Sequence, residues 1–153
     1  MNEYFKFYNA NPKNKITQDC VIRALTIFLN KPYETILNDL IDVYKHTGWH
    51  IADPICFMYY LKRYYNIKKY DVDFTLYLNL LDLCKILETK DINKLMDITI
   101  QNKNRKLDIL SNNIENIIVL LENTHLTFVQ KNIIMDTWDC SNLKVTSYFL
   151  LPK

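Results

Sequence analysis

Apolar residues recur at two different spacings along the chain, helical in the first part and alternating near the end. The apolar run that follows Cys20 leaves almost no polar face, which predicts a helix buried on most sides. Thr17 is placed to cap this helix, so that it runs to about Leu29 with Cys20 as its third residue. We expect this segment to be the central helix of the fold.

Further helices are predicted from the helical spacing of apolar residues and from their end signals. Residues 32–48 form the second, which starts with a proline and is stopped by the single glycine of the chain. Residues 54–65 form the third, and a short strand is expected within 66–74. The apolar segment 76–87 favours a fourth helix, whereas residues 88–113 mix polar and apolar positions and indicate no type.

Beyond Asn116 the chain changes to short runs of β-branched and aromatic residues separated by breaks that contain asparagine. We expect four strands joined as an antiparallel meander, at 117–121, 126–129, 133–138 and 145–151. Helices that precede a sheet, with the central helix packed on it, are typical of an α+β domain. Because 153 residues, 49% of them hydrophobic, suffice for one core, residues 1–153 are expected to form a single domain.

The charge and hydropathy of the chain argue against several kinds of partner. Nineteen basic and seventeen acidic residues leave a net charge of +2, so neither nucleic acid nor a membrane surface is an expected partner. No apolar run approaches the roughly 18 residues of a membrane span, and the first residues lack a signal-peptide core. We therefore expect a cytoplasmic protein whose thiols are reduced.

Cysteine and histidine are the residue types from which a nucleophile or a metal site would be built. The four cysteines form no Cys-x-x-Cys pair. Two of them, at positions 56 and 84, lie in apolar helical patterns and are interpreted as core residues, and Cys140 is interpreted as an incidental turn residue. His46 and His50 have Asp53 as the one nearby further ligand, so neither a metal nor a cofactor is expected.

A predicted hairpin near the end of the chain brings a histidine and a carboxylate together. If Lys131-Asn132 is a two-residue turn, residues 130 and 133 pair, and His125 pairs with Trp138. His125 then lies diagonally to Asp136 on the same face of the sheet, within side-chain reach. A three-residue loop would give this place to Asp139 instead. We prefer Asp136, which would orient the imidazole, with Trp138 keeping water away from the pair.

Two groups of residues, near the two ends of the chain, stand in the order cysteine, histidine, carboxylate. They are Asp19-Cys20-Val21-Ile22-Arg23-Ala24 with Lys31-Pro32-Tyr33, and His125-Leu126 with Asp136-Thr137-Trp138-Asp139. Together they resemble small phage and bacterial members of the papain-like cysteine peptidase superfamily. The resemblance implies a papain-like α+β fold, in which the nucleophile begins a central helix packed on a C-terminal antiparallel sheet. Residues 66–115 have no counterpart in it.

The function implied by the resemblance is a cysteine hydrolase that cleaves an amide, isopeptide or thioester bond in a protein or peptide substrate. Cys20 would be the nucleophile, since a helix start favours the thiolate. His125 would be the general base and Asp136 the residue that orients it. Papain-type enzymes usually have glutamine six positions before the cysteine, where this chain has Asn14. A second oxyanion donor, besides the N–H of Cys20, would be the side chain of Gln18 or Asn14.

The sequence leaves two other functions open. An acyltransferase would use the same three residues with an amine or alcohol as acceptor. A non-catalytic phage or mobile-element protein could instead keep the papain-like scaffold in order to bind a host protein, because a fold does not imply a function.

Overall fold

The structure, a computed structural model, describes residues 2–15, 17–100 and 108–153. Within these ranges it is an α+β fold in which a six-stranded mixed sheet carries helices on both faces. The strands are β1 (Phe5–Phe7), β2 (Lys69–Asp71), β3 (Asn112–Leu121), β4 (His125–Gln130), β5 (Ile133–Asp136) and β6 (Val145–Pro152). The helices are α1 (Cys20–Leu29), α2 (Tyr33–Thr47), α3 (Pro54–Tyr65), α4 (Leu80–Thr89) and α5 (Ile92–Ile98).

Helix α1 begins later than predicted, because Asp19 and not Thr17 occupies the N-cap position. The Asp19 carboxylate makes no capping bond to the helix and instead accepts a hydrogen bond from Arg23, one turn further on. Cys20 is therefore the first helical residue and not the third. The helix ends at Leu29, and the next residue, Asn30, adopts the left-handed conformation that asparagine tolerates well.

The second and third predicted helices are confirmed as α2 and α3, with Gly48 in the left-handed conformation after α2. The fourth starts later than expected, since Asn79 and Asp82 form a reciprocal capping box in front of α4. Part of the preceding segment forms a 3₁₀ turn, Phe74–Leu76. Helix α5 lies in the stretch 88–113 for which no type was predicted, and residues 101–107 of that stretch lie outside the described residues.

The sheet has the strand order β1-β5-β4-β3-β6-β2. The four C-terminal strands pair antiparallel, as predicted, but they do not form a simple meander, because β6 pairs with β3 and not with β5. β6 is buried along most of its length, and its backbone N–H and C=O groups find hydrogen-bond partners when a strand lies on each side. β2 supplies its second neighbour. β1 pairs parallel with β5, so the sheet as a whole is mixed, whereas an antiparallel C-terminal sheet was expected.

Apolar side chains alternate between the two faces of the sheet, as β3 illustrates. Ile118 and Leu120 pack with α1, α2 and α3 on one face. Val119 and Leu121 pack with α4 and α5 on the other. The predicted packing of α1 on the sheet is confirmed, and it contacts chiefly β4. None of the helices within the described ranges combines the length and apolar character that crossing a bilayer requires.

Candidate active site

The β4–β5 hairpin holds a histidine and an aspartate in direct contact. Gln130 pairs with Ile133, and the pairing continues to Phe128 and Met135, which confirms the predicted two-residue turn. His125, the first residue of β4, and Asp136, the last of β5, therefore lie diagonally on one face. The Nε2 atom of His125 is 2.7 Å from Oδ2 of Asp136.

Asp136 is 3% exposed, and both of its carboxylate oxygens accept hydrogen bonds. Oδ2 accepts from His125 and from the hydroxyl of Thr127, at 2.7 Å each. Oδ1 accepts from the backbone N–H of Thr137 at 2.7 Å and from Nη1 of Arg23 at 3.0 Å. Burial by itself would raise the pKa of Asp136, but these donors, His125 foremost, lower it below its ordinary value. The carboxylate is thus ionised and fixed in orientation.

Cys20 is half-buried at the start of α1 and interacts with the His125 ring. Burial alone would raise the pKa of Cys20, yet the hydrogen bond to His125 and the backbone N–H of Leu126 lower it. The positive charge of Arg23 acts in the same direction.

The imidazole of His125 is held in its charged form by its neighbours. Burial favours the neutral ring, but hydrogen bonds to Asp136, Cys140 and Cys20 raise the pKa of His125 to about 11. With the thiol pKa of Cys20 lowered and that of His125 raised, the two groups favour a thiolate and imidazolium pair. This is the ionisation state of an activated cysteine.

Arg23 is a buried charged residue of this site that the sequence interpretation missed. It is 6% exposed within a largely apolar helix, and it bridges Asp19 and Asp136. Its Nε atom is 2.6 Å from Oδ1 of Asp19. A signal was present, because an arginine in a helix predicted to be buried on most sides requires a buried anionic partner.

The predicted neighbour of His125, Trp138, lies beside it, with ring centroids 4.9 Å apart and ring planes inclined by 50°. Its ring is 45% exposed, so it lies at the surface beside the imidazole and shields part of it. The alternative acid, Asp139, does not contact His125. It accepts hydrogen bonds from Asn2 and from the backbone of Ser141 at an exposed position.

Cys140 is not the incidental turn residue that was expected. Its thiol is fully buried, 3.7 Å from Oδ2 of Asp136, and it also interacts with His125. Burial raises the pKa of Cys140, which keeps it protonated and able to donate. Cys56 and Cys84 are buried in the two apolar cores, as predicted.

The ligand atoms of His125, Asp136 and Cys140 lie within 4.8 Å of one another, close enough to hold a metal ion. Two of these groups already share a 2.7 Å hydrogen bond, and Arg23 brings a positive charge to the same carboxylate. Both features oppose a bound cation. His46 and His50, the other histidines that a metal site would use, are exposed, and each ring forms a hydrogen bond with nearby backbone.

The space next to Cys20 is narrow. A cavity of about 10 Å³ lies between α1 and strands β4 and β5, with Cys20 and Tyr8 in its wall. This volume is close to the least that holds one water molecule. Gln18 and Asn14, the two candidates for a second oxyanion donor, are both exposed in the segment that leads into α1.

Comparison of the chain with protein family models, with curated proteins and with solved structures gave no match.

Proposed function

We propose that the protein is a papain-like cysteine hydrolase of the cytoplasm that cleaves an amide, isopeptide or thioester bond in a protein or peptide. The observation that carries the proposal is the hydrogen bond of His125 to Asp136, with Nε2 2.7 Å from Oδ2, together with the placement of Cys20 beside the His125 ring, which lowers the pKa of the thiol. A nucleophile, a base in contact with it and a third group that orients the base are the three parts of this kind of catalyst.

In the reaction, the Cys20 thiolate attacks the carbonyl carbon and forms a C–S bond. The His125 imidazolium gives its proton to the leaving amine or thiol as the C–N or C–S bond of the substrate breaks. Water then attacks the acyl-enzyme, its proton passes to His125, and the Cys20 thiolate leaves as the carboxylic acid is released. Asp136 stays ionised throughout and stabilises the imidazolium.

Alkylation by iodoacetamide, measured across pH, tests the activated pair. We expect Cys20 to react at neutral pH faster than a cysteine in a short peptide, and His125→Ala to shift its reactivity to higher pH. The product is located by mass spectrometry, because three other cysteines are present. Equal rates for Cys20 and the peptide, with no effect of His125→Ala, would exclude the proposal.

A matched pair of substitutions, at positions 136 and 139, tests which residue orients His125. Asp136→Asn removes the charge that stabilises the imidazolium, so the alkylation rate of Cys20 at neutral pH should fall at least about tenfold. Asp139→Asn, three positions on and bonded to Asn2 and Ser141, should leave the rate unchanged. The reverse result would assign the role to Asp139. Turnover of a thioester substrate by the same variants extends the test to catalysis.

A non-catalytic protein that binds a host protein is the second candidate, and the narrow cavity of about 10 Å³ beside Cys20 favours it. Cys20→Ala separates the two functions. A hydrolase loses its biological effect with this variant, whereas a binding protein keeps it.

A further inference from the structure

Arg23 joins the helix that carries Cys20 to the strand that carries Asp136. Its Nε atom donates to Oδ1 of Asp19 at 2.6 Å, and its Nη1 atom donates to Oδ1 of Asp136 at 3.0 Å. The same Nη1 lies 3.2 Å from the hydroxyl of Thr137. One planar guanidinium therefore spans from the residue before the nucleophile to the residue that contacts His125.

Asp19 anchors this guanidinium from the other side. It is 8% exposed, and its Oδ2 accepts hydrogen bonds from Tyr33 at 2.7 Å and from Asn11 at 3.0 Å. Asp19 occupies the N-cap position of α1 but does not cap it with its side chain. An N-cap aspartate ordinarily stabilises a helix by accepting a hydrogen bond from a backbone N–H of the first turn. Here the Asp19 carboxylate binds Arg23 instead of making this capping bond.

Such a buried ionic network is not what fold stability alone favours. An apolar side chain at position 23 would suit the largely apolar α1, and a buried ion pair is often no more stabilising than well-packed apolar residues. The network gives the two carboxylate oxygens of Asp136 different hydrogen-bond partners. Oδ1 faces Arg23 and the N–H of Thr137, and Oδ2 is left for His125 and Thr127.

We propose that Arg23, anchored by Asp19, is a positioning residue. It holds the Asp136 carboxylate so that Oδ2 faces His125, and it holds the start of α1 against the β4–β5 hairpin. The inference rests on the proposed cysteine chemistry. Arg23 touches none of the reacting atoms and acts through Asp136. Its charge also lowers the pKa of Cys20, a second effect that a variant can separate from the first.

Two substitutions distinguish the planar hydrogen-bonding geometry of the Arg23 guanidinium, its fork of N–H donors, from its positive charge. Arg23→Met removes both, so the pKa of Cys20 in the alkylation profile should rise. Turnover of a thioester substrate should fall about 100-fold, which is the cost of a small misplacement of the catalytic groups. Arg23→Lys keeps the charge but not the planar fork, so the pKa of Cys20 should stay close to that of the wild type while turnover still falls. Arg63→Met, at an exposed position of α3, is the matched control and should change neither.

Asp19→Asn supplies a second variant in case Arg23→Met fails to fold. Removing a negative charge near Cys20 would by itself favour the thiolate and speed its reaction. The positioning role requires the opposite result, slower turnover, because Arg23 loses its anchor. Unchanged or faster turnover by Asp19→Asn would overturn the inference.

The outcomes separate this inference from the proposed function. If wild-type Cys20 reacts no faster than a peptide cysteine, the proposed function fails first. If the wild type is activated and turns over substrate, but Arg23→Met or Arg23→Lys matches it in turnover, the function stands and the positioning role is wrong. Slow turnover by both Arg23 variants, with the pKa of Cys20 raised in Arg23→Met alone, supports it.

Discussion

Cys20 and His125 have pKa values displaced in opposite directions, and the pH dependence of stability follows from both. The pKa of His125 rises from 6.5 to about 11, so the folded protein keeps a proton that the unfolded chain releases. Stability from this group is complete below about pH 6.5 and declines as the pH rises toward 11. The lowered pKa of Cys20 has the opposite sign, because there the unfolded chain keeps its proton longer. At pH values where Cys20 is a thiolate in the folded protein and a thiol in the unfolded chain, the two effects offset each other in the wild type.

Cys20→Ala should remove this offset. Between about pH 7 and about pH 8.5 the free energy of unfolding of the variant should fall more steeply than that of the wild type, with a limit of about 1.4 kcal/mol per pH unit for one proton. Urea unfolding at several pH values measures the slope. Leu40→Ala, in the same core and without a titrating group, should lower stability without changing the slope. Parallel curves for Cys20→Ala and the wild type would show that the pKa of Cys20 is not lowered in the folded protein.

Helix ends in this chain are set by residues that the apolar pattern does not reveal. Asp19 replaces Thr17 at the start of α1 because its carboxylate has a partner in Arg23, and Asn79 starts α4 because Asp82 completes its capping box. Several helices end on a residue in the left-handed conformation. After α4 that residue is Lys90, with φ of 56°.

Lys90→Gly should therefore stabilise the protein. A side chain in the left-handed region costs about 1–2 kcal/mol, and the greater flexibility of glycine offsets part of this gain, leaving about 0.5–1 kcal/mol. Lys85→Gly, an equally exposed position inside α4, should destabilise by about 1 kcal/mol. Urea unfolding of the two variants compares them directly. Destabilisation by both would mean that the conformation of Lys90 carries no strain.

The sheet separates the protein into two apolar cores, of which one supports Cys20. Helices α1 to α3 pack on one face, and α4 and α5 on the other. His125 and Asp136 lie at the ends of their strands, where the start of α1 can reach them. The candidate site is thus formed where a helix of one layer meets the end of the sheet.

The two cores should respond differently to the same substitution. Leu25 in α1 and Leu95 in α5 are 0% and 1% exposed, so truncating either to alanine should cost about 2–5 kcal/mol. Leu25→Ala, one helical turn beyond Cys20, should also slow alkylation of that thiol, whereas Leu95→Ala should not. Rates are measured where urea curves show both variants folded. Equal slowing by both would indicate a general loosening of the fold.

Features that depend on neighbours in sequence were predictable. The limits of α2 and α3, the hairpin register and hence the approach of His125 to Asp136 follow from periodicity, end signals and a two-residue turn. In each case the interacting residues are close along the chain, so local geometry limits the alternatives.

Other features were decided by contacts between distant parts of the chain. The pairing of β6 with β3, the parallel addition of β1 and the helices on both faces depend on which apolar surfaces bury each other. The contact of Arg23 with Asp136 joins residues 113 positions apart. The burial of Cys140 against the same carboxylate was equally hidden, because a cysteine near a turn looks the same in sequence whether the fold buries it or exposes it. Burial and charge pairing set these arrangements, and neither has a local pattern.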